Sequence, residues 1–151
     1  MRAVKQEVVA IPQPADSVFL AALGVVQNSK SSQILAVHVQ GRKLVVREKS
    51  MMSNPKLQQI WVVGDQSAAE LRIAVGSDPR TKQALMDGRA NGKSLEKMVQ
   101  AVQAALTGQT PAPASPVANH YLVKKDEVAW HNPEEDPQIE LAGNFKAMYG
   151  L

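Results

Sequence analysis

The sequence predicts an α+β domain, an antiparallel sheet of about four to five strands packed by two to three helices and continued by a long extended C-terminal arm. Three observations carry this. Residues 33–48 hold two apolar, β-branched runs around Gln40-Gly41-Arg42-Lys43, the pattern of a β-hairpin. Residues 94–108 repeat apolar positions at helical spacing between a serine and a glycine. From Gln109 onward both periods fade and prolines accumulate: Pro111, Pro113, Pro116, Pro133 and Pro137.

Taken in order, Val4 to Ile11 is a strand, β-branched at Val8, Val9 and Ile11 and closed by Pro12 and Pro14. Asp16 or Ser17 is placed to cap a helix near 17–27, whose run Val18 to Val26 is apolar on all sides and so must be buried. In the hairpin the loop is either Gly41-Arg42 or Gln40-Gly41. Both registers gather Leu35, Val37, Val39, Leu44 and Val46 on one face, leaving His38, Lys43, Arg47 and Gln40 on the other with Ile34, Ala36 and Val45. Strands near 59–63 and 70–75 follow, the second alternating Leu71, Ile73 and Val75 inward. Short links between these four strands favour antiparallel pairing.

The period then changes. Asp78-Pro79 opens a helix near 79–87 that Gly88 can close, and Asn91-Gly92 turns the chain. Ser94 caps a helix over 95–107, in which Leu95, Met98, Val99, Val102, Ala105 and Leu106 form one stripe. This helix is expected to cover the hairpin's apolar face. The division that follows is a core domain over 1–108 and an arm over 109–151, with Thr110 to Pro116 polyproline-like.

Net charge is +3, split as +6 over 1–108 and −3 over 109–151. A basic body with an acidic tail suits docking of the tail on its own body or on a neighbouring copy. Nucleic-acid binding by the body is possible on charge, but no Lys/Arg cluster interleaved with aromatics supports it. There is no cysteine. No apolar run reaches the length of a membrane span, and the N-terminus lacks the features of a secretory signal, so a soluble protein of the cytoplasm or of a virion is expected. No cofactor is implied.

Enzyme motifs are sparse: there is no phosphate loop, no Gly-x-Ser-x-Gly elbow and no His-Glu-x-x-His pair. His120, His131, Glu134, Glu135 and Asp136 match no metal-ligand spacing, so no metal site is assigned. One resemblance bears on catalysis. Ala104-Ala105-Leu106-Thr107-Gly108, then Pro111 and Pro113, Ala118-Asn119-His120-Tyr121, Trp130 and Gly143-Asn144 resemble the C-terminal half of spore-cortex-lytic-type cell-wall hydrolases over about residues 95–150. The resemblance implies peptidoglycan cleavage with a glutamate as general acid, for which Glu7 is the candidate. The chain departs from the pattern at Phe145, where the family has histidine, and at Val117, where it has glycine. The family's catalytic segment is not recognisable around Glu7.

The expectation is therefore a non-enzymatic assembly or structural subunit, of a virion or another multi-subunit complex, binding protein partners and forming a homo-oligomer or larger assembly. Its partner-binding residues are the arm anchors Tyr121, Trp130, Ile139, Phe145 and Tyr149 and the polar hairpin face His38, Lys43 and Arg47. The alternatives are a cell-wall hydrolase or its degenerate relative, and a nucleic-acid-binding module.

Overall fold

The computed structural model describes residues 3–49, 55–78, 87–109 and 113–141, with the backbone of 2 and of 145–146. The strands are β1 (Arg2–Ile11), β2 (Ser32–His38), β3 (Lys43–Glu48), β4 (Lys56–Gly64), β5 (Ala69–Ser77), β6 (His120–Val123), β7 (Asp126–Ala129), β8 (Glu140–Leu141) and β9 (Phe145–Lys146). Helix α1 (Ala15–Gln27) connects β1 to β2, and α2 (Asp87–Leu106) connects β5 to β6.

All nine strands among the described residues belong to one sheet, in the order β1-β5-β4-β3-β2-β6-β8-β9, with β7 paired to β6. Every pairing is antiparallel except the single β6–β8 bridge between Val123 and Glu140. This corrects the expected sheet of four to five strands with two to three helices and a separate extended arm. The extra strands are those of the arm. His120–Val123 and Asp126–Ala129 form a hairpin around Lys124-Lys125, with Lys124 at φ 59. Two lysines are not a favoured turn pair, and four-residue strands are too short to display alternation.

Next to the turn the register is that of a Gln40-Gly41 loop, but the expected pairing of Leu35 with Val46 is not made. Val37 faces Leu44 and His38 faces Lys43, but a bulge shifts the pairing so that Ala36 faces Val45 and Ile34 faces Val46. Leu35 consequently turns to the face opposite Val37, Leu44 and Val46, and packs with Ala36, Val45 and Leu57. A bulge cannot be read from alternation, because it is the place where alternation breaks.

Both helices lie on one face of the sheet. α1 crosses β2, β3, β4 and β5, and α2 lies on β1 and β5 and against α1. The helix that covers the hairpin is therefore α1, with Val18, Phe19, Ala22, Leu23 and Val26 fully buried, and not 95–107. α1 starts earlier than expected. Pro14 is its cap residue, no side chain caps it, and the Ala15 N–H donates to the Asp65 carbonyl of the β4–β5 turn at 2.9 Å. Asp16 sits in the first turn, a favourable place for a carboxylate, and pairs with Arg42 at 3.1 Å.

α2 runs through the expected turn at Asn91-Gly92. Asn91 is 1% exposed and donates its amide to the Ala3 carbonyl at 3.0 Å and to Ser77 Oγ at 3.1 Å, so tertiary bonds hold it in the helix. Ser94 is not a cap but an interior residue of α2. The expected helix over 79–87 lies outside the described residues except for Asp87, which opens α2. Among the described residues no helix is long and apolar enough to cross a membrane.

Candidate functional site

The second face of the sheet carries the docked C-terminal segment. Leu35, Ala36, Val45 and Leu57 from the sheet bury against Trp130, Ile139 and Leu141, with Tyr121 and Leu122 at the margin. β6 pairs with β2, placing Tyr121 opposite Ala36 and His120 opposite Val37. The acidic tail thus lies on its own basic body over the described residues.

His38 is the hinge of this contact and is buried, not a surface residue. The Gly41 N–H donates to its Nδ1 at 2.9 Å, so Nδ1 is the bare nitrogen. Nε2 then carries the proton and donates to the His131 carbonyl at 3.1 Å. The ring meets Trp130 edge-on, centroids 5.5 Å apart, and the indole N–H is shared between the carbonyls of Asn132 at 2.8 Å and Glu135 at 3.1 Å. Lys43 donates to the Pro133 carbonyl at 2.6 Å, its Nζ lying 4.7 Å from the centre of the Trp61 ring. Gly41 leaves no room for a Cβ, which would strike the Pro133 ring.

His38, Lys43, Tyr121, Trp130 and Ile139 are therefore brought together, and with one another. Arg47 stands apart, its Nε 3.2 Å from the carboxylate of fully buried Asp78. Phe145 contributes backbone to β9, while Tyr149 lies outside the described residues. Glu7 is an exposed residue of the edge strand β1, opposite Ile73. His120 donates Nδ1–H to the Ala118 carbonyl at 2.7 Å, and no group of three metal-ligating side chains converges among the described residues.

A groove of about 460 Å³ opens where residues 114–119 cross from α2 to β6. Its walls are Leu20 and Leu23 of α1, Val39 of the β2–β3 turn, and Ala114, Pro116, Val117 and Ala118 of the crossing strap; Gln40, Ser115 and Asn119 supply its polar groups. Among the described residues no ionisable side chain lines it. Side-chain amides hold the strap at both ends. Gln27 clasps Ser115 as a backbone partner would, accepting from its N–H at 2.7 Å and donating to its carbonyl at 3.1 Å. Asn119 accepts from the Val39 N–H at 2.8 Å and donates to Gln40 Oε1 at 2.6 Å. An extended, proline-bearing strap has no ladder of its own, so these clasps set the width of the groove.

Of the groove residues, the sequence marked only the polyproline-like strap and the all-round apolar character of α1. Leu20, 43% exposed, is the residue that this character places on the open side. Gln27 and Asn119 bond over 88 and 80 positions and carry no local signal.

A smaller pocket of about 90 Å³ lies between the C-terminal end of α1 and the middle of α2. There Gln58, 1% exposed, donates Nε2–H to Glu48 at 2.7 Å and to Ser94 at 3.0 Å, and the Ser94 hydroxyl donates to Glu48 at 3.3 Å. The Gln58 Oε1 is buried without a partner. This arrangement orders the Glu48 carboxylate against one amide and one hydroxyl.

No family model and no curated sequence matches the chain. Solved structures do resemble it in fold. Ara h 8.0201 superposes with a TM-score of 0.52 at 8% identity, over 70% of this chain and 97% of that one. DynU16, from the dynemicin biosynthetic locus, superposes with a TM-score of 0.53 at 14% identity, over 87% of this chain and 57% of that one. At such identities the likeness is one of architecture: a large antiparallel sheet gripping two helices on one face, the Bet v1/START-like fold.

Proposed function

We propose that this chain is a non-catalytic binding protein whose strap groove takes a small, uncharged, largely apolar molecule. The observation that carries the reading is the groove itself: about 460 Å³, walled by leucines, valines, alanines and a proline, with amides and one hydroxyl as its polar groups. That is the size and character of a small-molecule site, few polar groups fixing orientation within apolar walls. The lack of any lining charge among the described residues argues against anionic and cationic ligands, whose desolvation none of these residues would offset. Asn119 uses both ends of its amide within the chain, whereas Gln40 engages only its oxygen among the described residues, leaving its NH₂ to donate to a ligand carbonyl or hydroxyl.

The test is titration with a neutral solvatochromic dye such as Nile red. Saturable, blue-shifted emission is expected for the wild type. Leu20→Glu places a charge on the apolar wall at a position exposed enough to leave folding intact, and should weaken binding at least about tenfold, equivalent to about 1.4 kcal/mol. Equal binding by wild type and variant, or no saturable binding, refutes the reading.

The assembly role expected from the arm has support from a different surface. Tyr121, Trp130 and Ile139 are engaged within the chain, but β1 pairs only with β5 and leaves its other edge open among the described residues. An open edge is a template for another strand. Light scattering on the full chain over a concentration series tests this second reading, which a monomer at every concentration would end.

A further inference from the structure

We infer that β1 pairs with β1 of a second copy, antiparallel and centred on Gln6, joining two sheets across a two-fold axis. The inference rests on the assembly reading and is independent of the groove.

Val4, Lys5, Gln6, Glu7 and Val8 are all exposed, Val4 by 38% and Val8 by 61%, which is unusual for valines in the middle of a strand. Residues directly opposite in an antiparallel pair point to the same face, so a two-fold axis must pass through a residue rather than between two. Centring it on Gln6 sets Lys5 opposite Glu7 of the other copy, and Glu7 opposite its Lys5. Val4 then meets Val8, and Val8 meets Val4. The segment Val4-Lys5-Gln6-Glu7-Val8 is thus complementary to itself when reversed: two opposite-charge pairs on the helix face and two apolar pairs on the other.

No neighbouring centre does this. An axis through Glu7 opposes Lys5 to Val9 and Glu7 to itself, and one through Lys5 opposes lysine to lysine. Like charges directly opposite destabilise a pair, and opposite charges or β-branched pairs stabilise it.

The backbone sets the ends of the ladder. Pairing of β1 with β5 shifts between Arg2 and Lys5, Ala3 takes φ 51, and its carbonyl accepts from Asn91 of α2. The irregularity ends a regular edge just before Val4, and by symmetry the second copy's irregularity ends the ladder just after Val8. The regular, unengaged part of the edge coincides with the self-complementary part of the sequence. A lysine on an edge strand often blocks pairing; here the glutamate two residues on supplies its counter-charge in a second copy.

Charge exchange tests this. Wild type should self-associate in sedimentation velocity. Lys5→Glu and Glu7→Lys should each weaken association at least about tenfold, because each puts two like-charge pairs in the ladder. The double variant should restore it, and the two single variants, mixed, should form a heterodimer. Register is read separately in this cysteine-free chain. Gln6→Cys faces its own copy at about 5 Å between Cα atoms, within disulfide range, and should cross-link on mild oxidation. Ala10→Cys, about 26 Å from its symmetry mate at 3.3 Å per residue, should not. Self-association that ignores both charge variants and leaves Gln6→Cys uncrosslinked overturns the β1 pairing while the assembly reading stands. A monomer under all conditions overturns both.

Discussion

Replacing Trp130 by alanine tests whether the C-terminal segment is held on the sheet by the cluster around His38. The indole is 5% exposed and packs with Leu35, Ala36, Val45, Leu57, Ile139 and Leu141. Truncating a buried tryptophan costs about 3–5 kcal/mol. Here the loss includes the edge-on contact with His38 and the shared N–H bond to the carbonyls of Asn132 and Glu135. The cluster is separated from the main core by the sheet, so the damage should be local: residues 119–141 come away while Phe19, Leu23, Ile60 and Leu71 stay packed. The chain has two tryptophans, and in Trp130→Ala the remaining Trp61 reports directly, because Lys43 lies over its ring and holds the Pro133 carbonyl. Release of the segment should shift Trp61 emission at low denaturant, ahead of the main transition. A variant within about 1 kcal/mol of wild type, with Trp61 emission unchanged, would refute the reasoning.

Gly41→Ala should have a related effect by a different cause, since its Cβ strikes the Pro133 ring; overpacking of this kind costs about 1–3 kcal/mol, measured by urea unfolding. Glu48→Ala removes one of the two described acceptors of the buried Gln58 amide and should cost about 1–3 kcal/mol by the same measurement, with Glu48→Gln milder. Asp65 is held below its ordinary value of 3.8 by the Ser67 backbone N–H, then the Ser67 hydroxyl and the Ala68 N–H. A carboxyl with a lowered folded-state pKa stabilises above its unfolded value and loses that contribution as pH falls through the folded one. Thermal unfolding of Asp65→Asn should therefore depend less on pH than wild type below about pH 4, where Asp65 protonates.

The hairpin, α1 and the strands of the first 77 residues were legible because apolar residues recur on their buried faces: Leu71, Ile73 and Val75 point inward as the period demands. The failures have separate physical causes. Leu35 changed faces at a bulge, a backbone event without a residue signature. Asn91-Gly92 reads as a turn by propensity, yet Asn91 finds Ala3 and Ser77 and stays helical, tertiary hydrogen bonds outweighing a local preference. The arm's strands are four residues or fewer and are stabilised by β2, so nothing local announces them. Of the hairpin face expected to meet a partner or the acidic tail, His38 and Lys43 hold the carbonyls of His131 and Pro133 within the chain, whereas Arg47 pairs with Asp78. The groove was not legible, since its geometry depends on Gln27 and Asn119 clasping partners far away in sequence.

The groove and the docked segment share a boundary, and that boundary couples them. Asn119 ends the strap and bonds the Val39 N–H, while two residues on, Gly41 donates to His38, which receives Trp130 edge-on. The backbone N–H of Trp130 in turn donates to the Asn119 carbonyl. A molecule seated against Val39, Val117 and Asn119 would therefore bind only when residues 119–130 are docked. Binding to the docked state alone stabilises it by RT ln(1 + [L]/Kd), about 2.7 kcal/mol at a hundredfold excess over Kd. By the same linkage, Trp130→Ala must lower ligand affinity although Trp130 does not line the groove. Titration of the neutral dye into Trp130→Ala measures this. If affinity in the variant equals wild type while Trp61 emission shows the segment released, groove and arm are independent and the coupling is wrong.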